Sequence, residues 1–100
     1  MNYILDKTGN PILEPDILKW ARWFETADRQ IARTELPGDV TVSTVFLAID
    51  HGYSGPPILY ETMVFGGPLD EEQERYTTRQ AAIEGHEQMV ARARTEGGSE

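Results

Sequence analysis

Val40-Thr41-Val42-Ser43-Thr44-Val45-Phe46-Leu47-Ala48-Ile49-Asp50 is the stretch that decides the fold. β-Branched and aromatic side chains dominate it, with Val40, Val42, Thr44, Phe46 and Ala48 on one face and Val45, Leu47 and Ile49 on the other. It reads as a long strand, both faces of which should be covered near its end. The loop His51-Gly52-Tyr53-Ser54-Gly55-Pro56-Pro57 follows, and Ile58 to Phe65 (ILYETMVF) returns as a second strand, making an antiparallel hairpin. Gly66-Gly67-Pro68 ends that strand, and Leu69 to Arg75 (LDEEQER) reads as an acidic connector.

Working upstream, Pro37-Gly38-Asp39 makes a tight turn, and Gln30 to Leu36 before it reads as an edge strand. Asp16, after Pro15, can cap the exposed amides of a helix in which Ile17, Trp20, Ala21 and Phe24 form one apolar stripe. That helix should end near Thr26 to Asp28. Tyr3-Ile4-Leu5 and Pro11-Ile12-Leu13 flank the turn-rich Asp6-Lys7-Thr8-Gly9-Asn10, the pattern of a short hairpin. Downstream, Thr77 and Gln80 have capping-box spacing, and Ala82, Ile83, His86, Met89, Val90 and Ala93 recur at helical intervals. A one-sided helix of this kind should cover the sheet face that carries Phe46. The expectation is one α+β domain over residues 1–94, a small antiparallel sheet with an N-terminal helix and a C-terminal amphipathic helix in the order ββαβββα. Residues 95–100 read as a flexible polar tail.

The composition excludes several kinds of chemistry. With no cysteine among 100 residues, disulfides, thiolate metal sites and a cysteine nucleophile are ruled out. Seventeen acids against nine bases, seven of them arginine, give a net charge of −8, which repels phosphate backbones and anionic lipid and attracts basic proteins. No run approaches membrane-spanning length, and Met1 to Pro11 lacks the pattern of a signal peptide, so the cytoplasm is the expected compartment.

Asp50-His51 at a strand end, Glu61 on the returning strand and His86 on the last helix are the only candidates for acid, base or metal-ligand work. Neither H-x-x-x-H nor H-E-x-x-H occurs, and His86 falls on the apolar stripe, where a satisfied core histidine is the commoner outcome. Ser43, Thr44 and Ser54 lack any G-x-S-x-G setting. No catalytic residue, metal site or cofactor is therefore assigned. Gly52, Gly55, Gly66 and Gly67 flank the hairpin without a P-loop and read as turn chemistry. Glu61, within an apolar strand, needs a donor, and Arg33 on the neighbouring strand is the candidate. The remaining binding signal is an aromatic and arginine group, Trp23 with Arg22, Arg29 and Arg33, joined by His51 and Tyr53 of the loop. An exposed tryptophan beside arginines can stack on a base or anchor a protein interface; a helix buried on a wide face and rimmed by arginines is the plainer alternative.

Trp20 to Thr26 (WARWFET), Val42 to His51 (VSTVFLAIDH) and Tyr60 to Gly67 (YETMVFGG) together resemble an abundant group of small, uncharacterised tailed-phage proteins. That group usually has Gly-Leu where this chain has Ala48-Ile49 and Phe where it has Tyr60; Tyr76 with its following threonines and Gly85-His86-Glu87 also match, so the likeness spans Tyr3 to Val90. The resemblance implies an accessory protein acting in the host bacterial cytoplasm. The leading expectation is a non-catalytic binding protein directed at a host factor. Sequestration of a small nucleotide signal competes evenly with inhibition of a host protein by the acidic surface. A small enzyme using Asp50, His51 and Glu61 comes third. Neither membrane nor non-specific nucleic acid is an expected partner, and homo-oligomerisation would bury exposed aromatics.

Overall fold

A computed structural model of the chain describes residues 1–97. It is an α+β fold with two small antiparallel sheets and two helices. β1 (Tyr3–Leu5) and β2 (Pro11–Leu13) form the first sheet, followed by α1 (Ile17–Thr26). β3 (Gln30–Leu36), β4 (Val40–Phe46), β5 (Tyr60–Phe65) and β6 (Gln73–Tyr76) form a second, four-stranded meander in chain order, and α2 (Arg79–Gly97) closes it. The acidic connector expected over Leu69 to Arg75 thus contains the start of a fourth strand, paired to β5 with Tyr60 opposite Tyr76 and Glu61 opposite Arg75.

The alternation of β4 is realised residue for residue. Val40, Val42, Thr44, Phe46 and Ala48 are all buried beneath α2 and α1. On the opposite sheet face, with Thr41, Ser43, Val45, Glu61, Met63 and Phe65, no helix of the described residues packs, and the cover expected on both sides near the end of the strand is partial: Val45 and Leu47 are half-buried and Ile49 is exposed. β4 also stops earlier than the expected Asp50. Ala48 adopts a left-handed backbone (φ 69°), which breaks the strand. The chain then pairs with the N-terminus, Tyr3 N–H donating to Ala48 O at 2.8 Å and Asp50 N–H to Met1 O at 3.0 Å.

Local signals set the remaining boundaries. Asp16 Oδ1 accepts from Leu18 N and Lys19 N and caps α1. Asp6 Oδ1 accepts from the backbone of Thr8 and Asn10 and holds the β1–β2 turn. The cap of α2 is Thr78, whose Oγ1 accepts from Ala81 N at 3.0 Å; the expected Thr77 box does not form, and Gln80 instead bonds Glu84. α2 runs on through Thr95–Gly97, residues assigned from sequence to a flexible tail, while 98–100 lie outside the described residues. The stripe of α1 is Trp20, Trp23 and Phe24; Ile17 and Ala21, expected to dock, face solvent. Among the described residues no helix is long and apolar enough to cross a membrane.

Beneath α2 the core is layered. Leu36, Val40, Val42, Val64, Met89, Val90 and Ala93 form one apolar cluster. Phe46, Ala48, Leu59, Tyr60 and Ala82 form the other, with Trp20, Trp23 and Phe24 packed against them. Thr44 lies between Val42 and Phe46, Thr62 between Tyr60 and Val64, and His86 between Ala82 and Met89, so a buried polar layer separates the two clusters.

Candidate functional site

The aromatic and arginine group of α1 is assembled for packing. Trp23 is half-buried, its ring edge-on to Phe46 at 6.0 Å and 86°. Trp20 stacks on Phe24 at 4.8 Å, and its indole N–H points at Tyr3 O and Ala48 O. Arg29 lies over the Phe24 ring at 4.3 Å and donates to Phe46 O at 2.9 Å, which occupies both its charge and a donor. Arg33 pairs with its own strand neighbour Glu35 at 3.1 Å, both exposed. Arg22, His51 and Tyr53 are exposed. Trp20, Trp23 and Phe24 thus dock α1 half-buried on the sheet, with Arg29 packed beside them and Arg22 and Arg33 exposed.

The candidate acid and base groups are dispersed. Asp50 Oδ1 accepts from Gly52 N at 2.8 Å and Ile58 N at 2.9 Å, and these two bonds hold its carboxyl below the usual carboxylate range. Asp50 therefore organises the loop. Glu61 accepts from Arg75 Nε at 3.0 Å, in place of the expected Arg33, because β6 brings Arg75 directly opposite it. Glu61 stands on the open face of the sheet and His86 beneath the covered one, so the sheet separates them. Among the described residues no three histidine or acidic side chains are placed to hold a metal. The glycines beside the hairpin serve the turns. Gly66 has φ 91°, its N–H donates to Asp70 Oδ1 at 2.7 Å, and a Cβ there would overlap the Asp39 carbonyl.

The polar layer of His86, Thr44 and Thr62 is buried. His86 Nδ1 lies 2.7 Å from Thr44 Oγ1 and Nε2 lies 2.9 Å from Thr34 Oγ1, while Thr44 and Thr62 hydroxyls are 2.5 Å apart. A neutral imidazole, donating from one nitrogen and accepting at the other, satisfies this chain in either tautomer. Burial lowers the His86 pKa, with Glu87 pulling weakly the other way. Thr44 and Thr62 are fully buried, so this is a network that fixes how α2 sits on the sheet.

A groove lies one element further out, between edge strand β6 and α2. Glu74, Tyr76, Gly85, Gln88, Met89 and Arg92 line a hollow of about 200 Å³. Gly85 is what allows it to form. The Tyr76 ring lies flat against the helix where a side chain at Gly85 would overlap it. The Tyr76 hydroxyl is buried near Thr62 without a hydrogen bond of good geometry, and burial raises its pKa. Among the described residues β6 pairs with β5 alone, so its outer edge presents unpaired backbone groups. Asp70, Glu71, Glu72 and Glu74 approach along this edge and Glu84 and Glu87 project from α2, all exposed. Glu72 holds Arg92 at 3.4 Å across the groove mouth. Sequence reasoning passed over this site because QERY has no apolar alternation; the one available signal was Gly85 inside an otherwise regular helix, paired with an aromatic just before the helix cap.

Comparison with known proteins adds no relative: no protein-family model, curated protein or solved structure matches the chain.

Proposed function

We propose that this chain is a non-catalytic binding protein of the phage-accessory kind, which acts on a host protein by capturing a basic segment along the β6–α2 groove. The observation that carries the reading is a hollow of about 200 Å³ beside a free strand edge in the most acidic part of the chain. An extended segment could add main-chain hydrogen bonds to β6, place an apolar side chain against Tyr76 and Met89, and set lysines or arginines among Glu72, Glu74 and Glu84. The nucleotide alternative fits less well, since Arg29 is held by the Phe24 ring and Phe46 O and Trp23 is packed on Phe46.

The test is capture from bacterial lysate by the immobilised chain, beside an E72K/E74K bait. The native bait should retain a basic protein that rising salt releases, and the charge-reversed bait should not. Equal retention by both baits would overturn the groove as the site. A rise of several degrees in melting temperature with one member of a panel of linear and cyclic nucleotides would restore the nucleotide reading.

A further inference from the structure

The N-terminal arm, residues 1–29, has a surface unlike the remainder. It carries five acids (Asp6, Glu14, Asp16, Glu25, Asp28) and four bases (Lys7, Lys19, Arg22, Arg29), a net charge of −1, so that −7 of the chain's −8 falls on residues 30–100. It is also where most of the exposed aliphatic residues collect. Met1, Ile12, Leu13, Ile17 and Leu18 all face solvent, Ile17 at 58% and Leu18 at 65% exposure. α1 buries no residue completely. Next to its first turn, Met1, Asn2, Leu13, Glu14 and Pro15 line a second hollow of about 300 Å³. The molecule extends 50 Å along its longest axis against 29 and 22 Å across, and its radius of gyration of 14.8 Å exceeds the roughly 13 Å usual for this length.

We propose that this arm is a homodimer surface, in which Ile17 and Leu18 of each copy seat in the Met1–Leu13–Pro15 hollow of the other. A projecting apolar pair beside a hollow that Met1, Leu13 and Pro15 line, with Asn2 and Glu14 as its polar members, is self-complementary, which is what a two-fold interface requires. Charge selects the occupant. A basic partner is drawn to the body with its −7, whereas two copies of a strongly acidic chain approach with least repulsion where each is nearly neutral. The five exposed apolar side chains form the centre of a small interface, so the dimer is a weak one that forms with rising concentration. It leaves the β6–α2 groove free in both copies and does not depend on the function proposed for that groove.

Sedimentation equilibrium of the full chain, from micromolar to millimolar concentration, tests this. The mass should rise from 11.3 kDa toward twice that value, and moderate salt should favour the dimer by screening the two acidic bodies. The I17E/L18E chain should dimerise about a hundredfold more weakly. It should keep its helical circular-dichroism spectrum, because both residues are exposed and glutamates suit the first turn of a helix. E72K/E74K, which takes four units of negative charge off the body, should not weaken the association and should tighten it at low salt. A native chain that stays monomeric throughout, or an I17E/L18E chain that dimerises as before, overturns the proposal; so does a monomeric native chain whose lysate partner is lost with I17E/L18E, which would give the arm to a foreign protein.

Discussion

The arm (β1, β2 and α1) and the body (β3 to β6 with α2) solve the same problem differently. In the body, β4 and β5 alternate strictly and α2 covers the buried side, leaving Val42, Val64, Phe46 and Tyr60 fully enclosed. The arm has three-residue strands and a helix that touches the rest mainly through Trp20, Trp23 and Phe24. The difference is one of burial: the body supplies the core, and the arm, anchored by aromatics, keeps aliphatic residues outside.

The largest effect should come where the two regions meet. Phe46 touches Trp23 from the arm and Tyr60 from the body, at 6.0 and 5.5 Å between ring centres. Phe46→Ala should cost about 3–5 kcal/mol in urea unfolding and undock α1 as well as loosen α2. A loss confined to the body, with the tryptophan fluorescence of the arm unchanged, would break the idea that Phe46 joins them. Next comes Gly85→Ala, which drives a methyl into the Tyr76 ring. Overpacking there should cost about 1–3 kcal/mol, and the tyrosine must leave the groove to relieve it, so capture of a basic segment should fall as well.

How much of this was legible in the sequence follows the same division. The body's central strands were readable because a half-buried strand writes its burial into every second residue, and Asp16 and the stripe of α2 were equally direct. β6 was not, since an exposed edge strand needs no apolar alternation and Gln73-Glu74-Arg75 carries none. The end of β4 was hidden because alanine gives no notice of a left-handed backbone. Trp23 was left open between surface and core because the apolar stripe of α1 was counted from Ile17, whereas docking begins at Trp20 and leaves Trp23 half-buried. The polar layer was half legible: His86 fell on the buried stripe and Thr44 on the buried face, but their meeting depends on the register of β4, β5 and α2 together. Both sites proposed above lie where local pattern is silent, at a strand edge and on an arm where Met1, Ile12, Leu13, Ile17 and Leu18 face solvent.

The body should respond to pH through His86. Its pKa is lowered by burial from the usual 6.5, so the folded chain resists a proton that the unfolded chain accepts. Above pH 6.5 the residue is neutral in both states and contributes no slope. As pH falls below 6.5, stability should decline, by at most about 1.4 kcal/mol per pH unit, until the folded-state pKa is reached. Urea midpoints measured from pH 7.5 to 5 in the native chain and in His86→Gln test this. The variant should be less stable at neutral pH but flatter over that range, and an equally steep variant would move the dependence to the carboxylates.

The arm should give a smaller and more local response. Asp16 Oδ1 satisfies two amides at the start of α1, and Asp16→Ala leaves them to water at a cost of about 1 kcal/mol. Because the body carries the core, that loss should appear mainly as faster hydrogen exchange at Leu18 and Lys19, with the amides of β4 and β5 almost as protected as before. The same change loosens the turn that presents Ile17 and Leu18, so it should weaken self-association by more than the global stability alone accounts for. A variant that lowers protection uniformly across arm and body would show that the chain unfolds as one unit, and that the arm's exposed residues ride on a frame as rigid as the sheet.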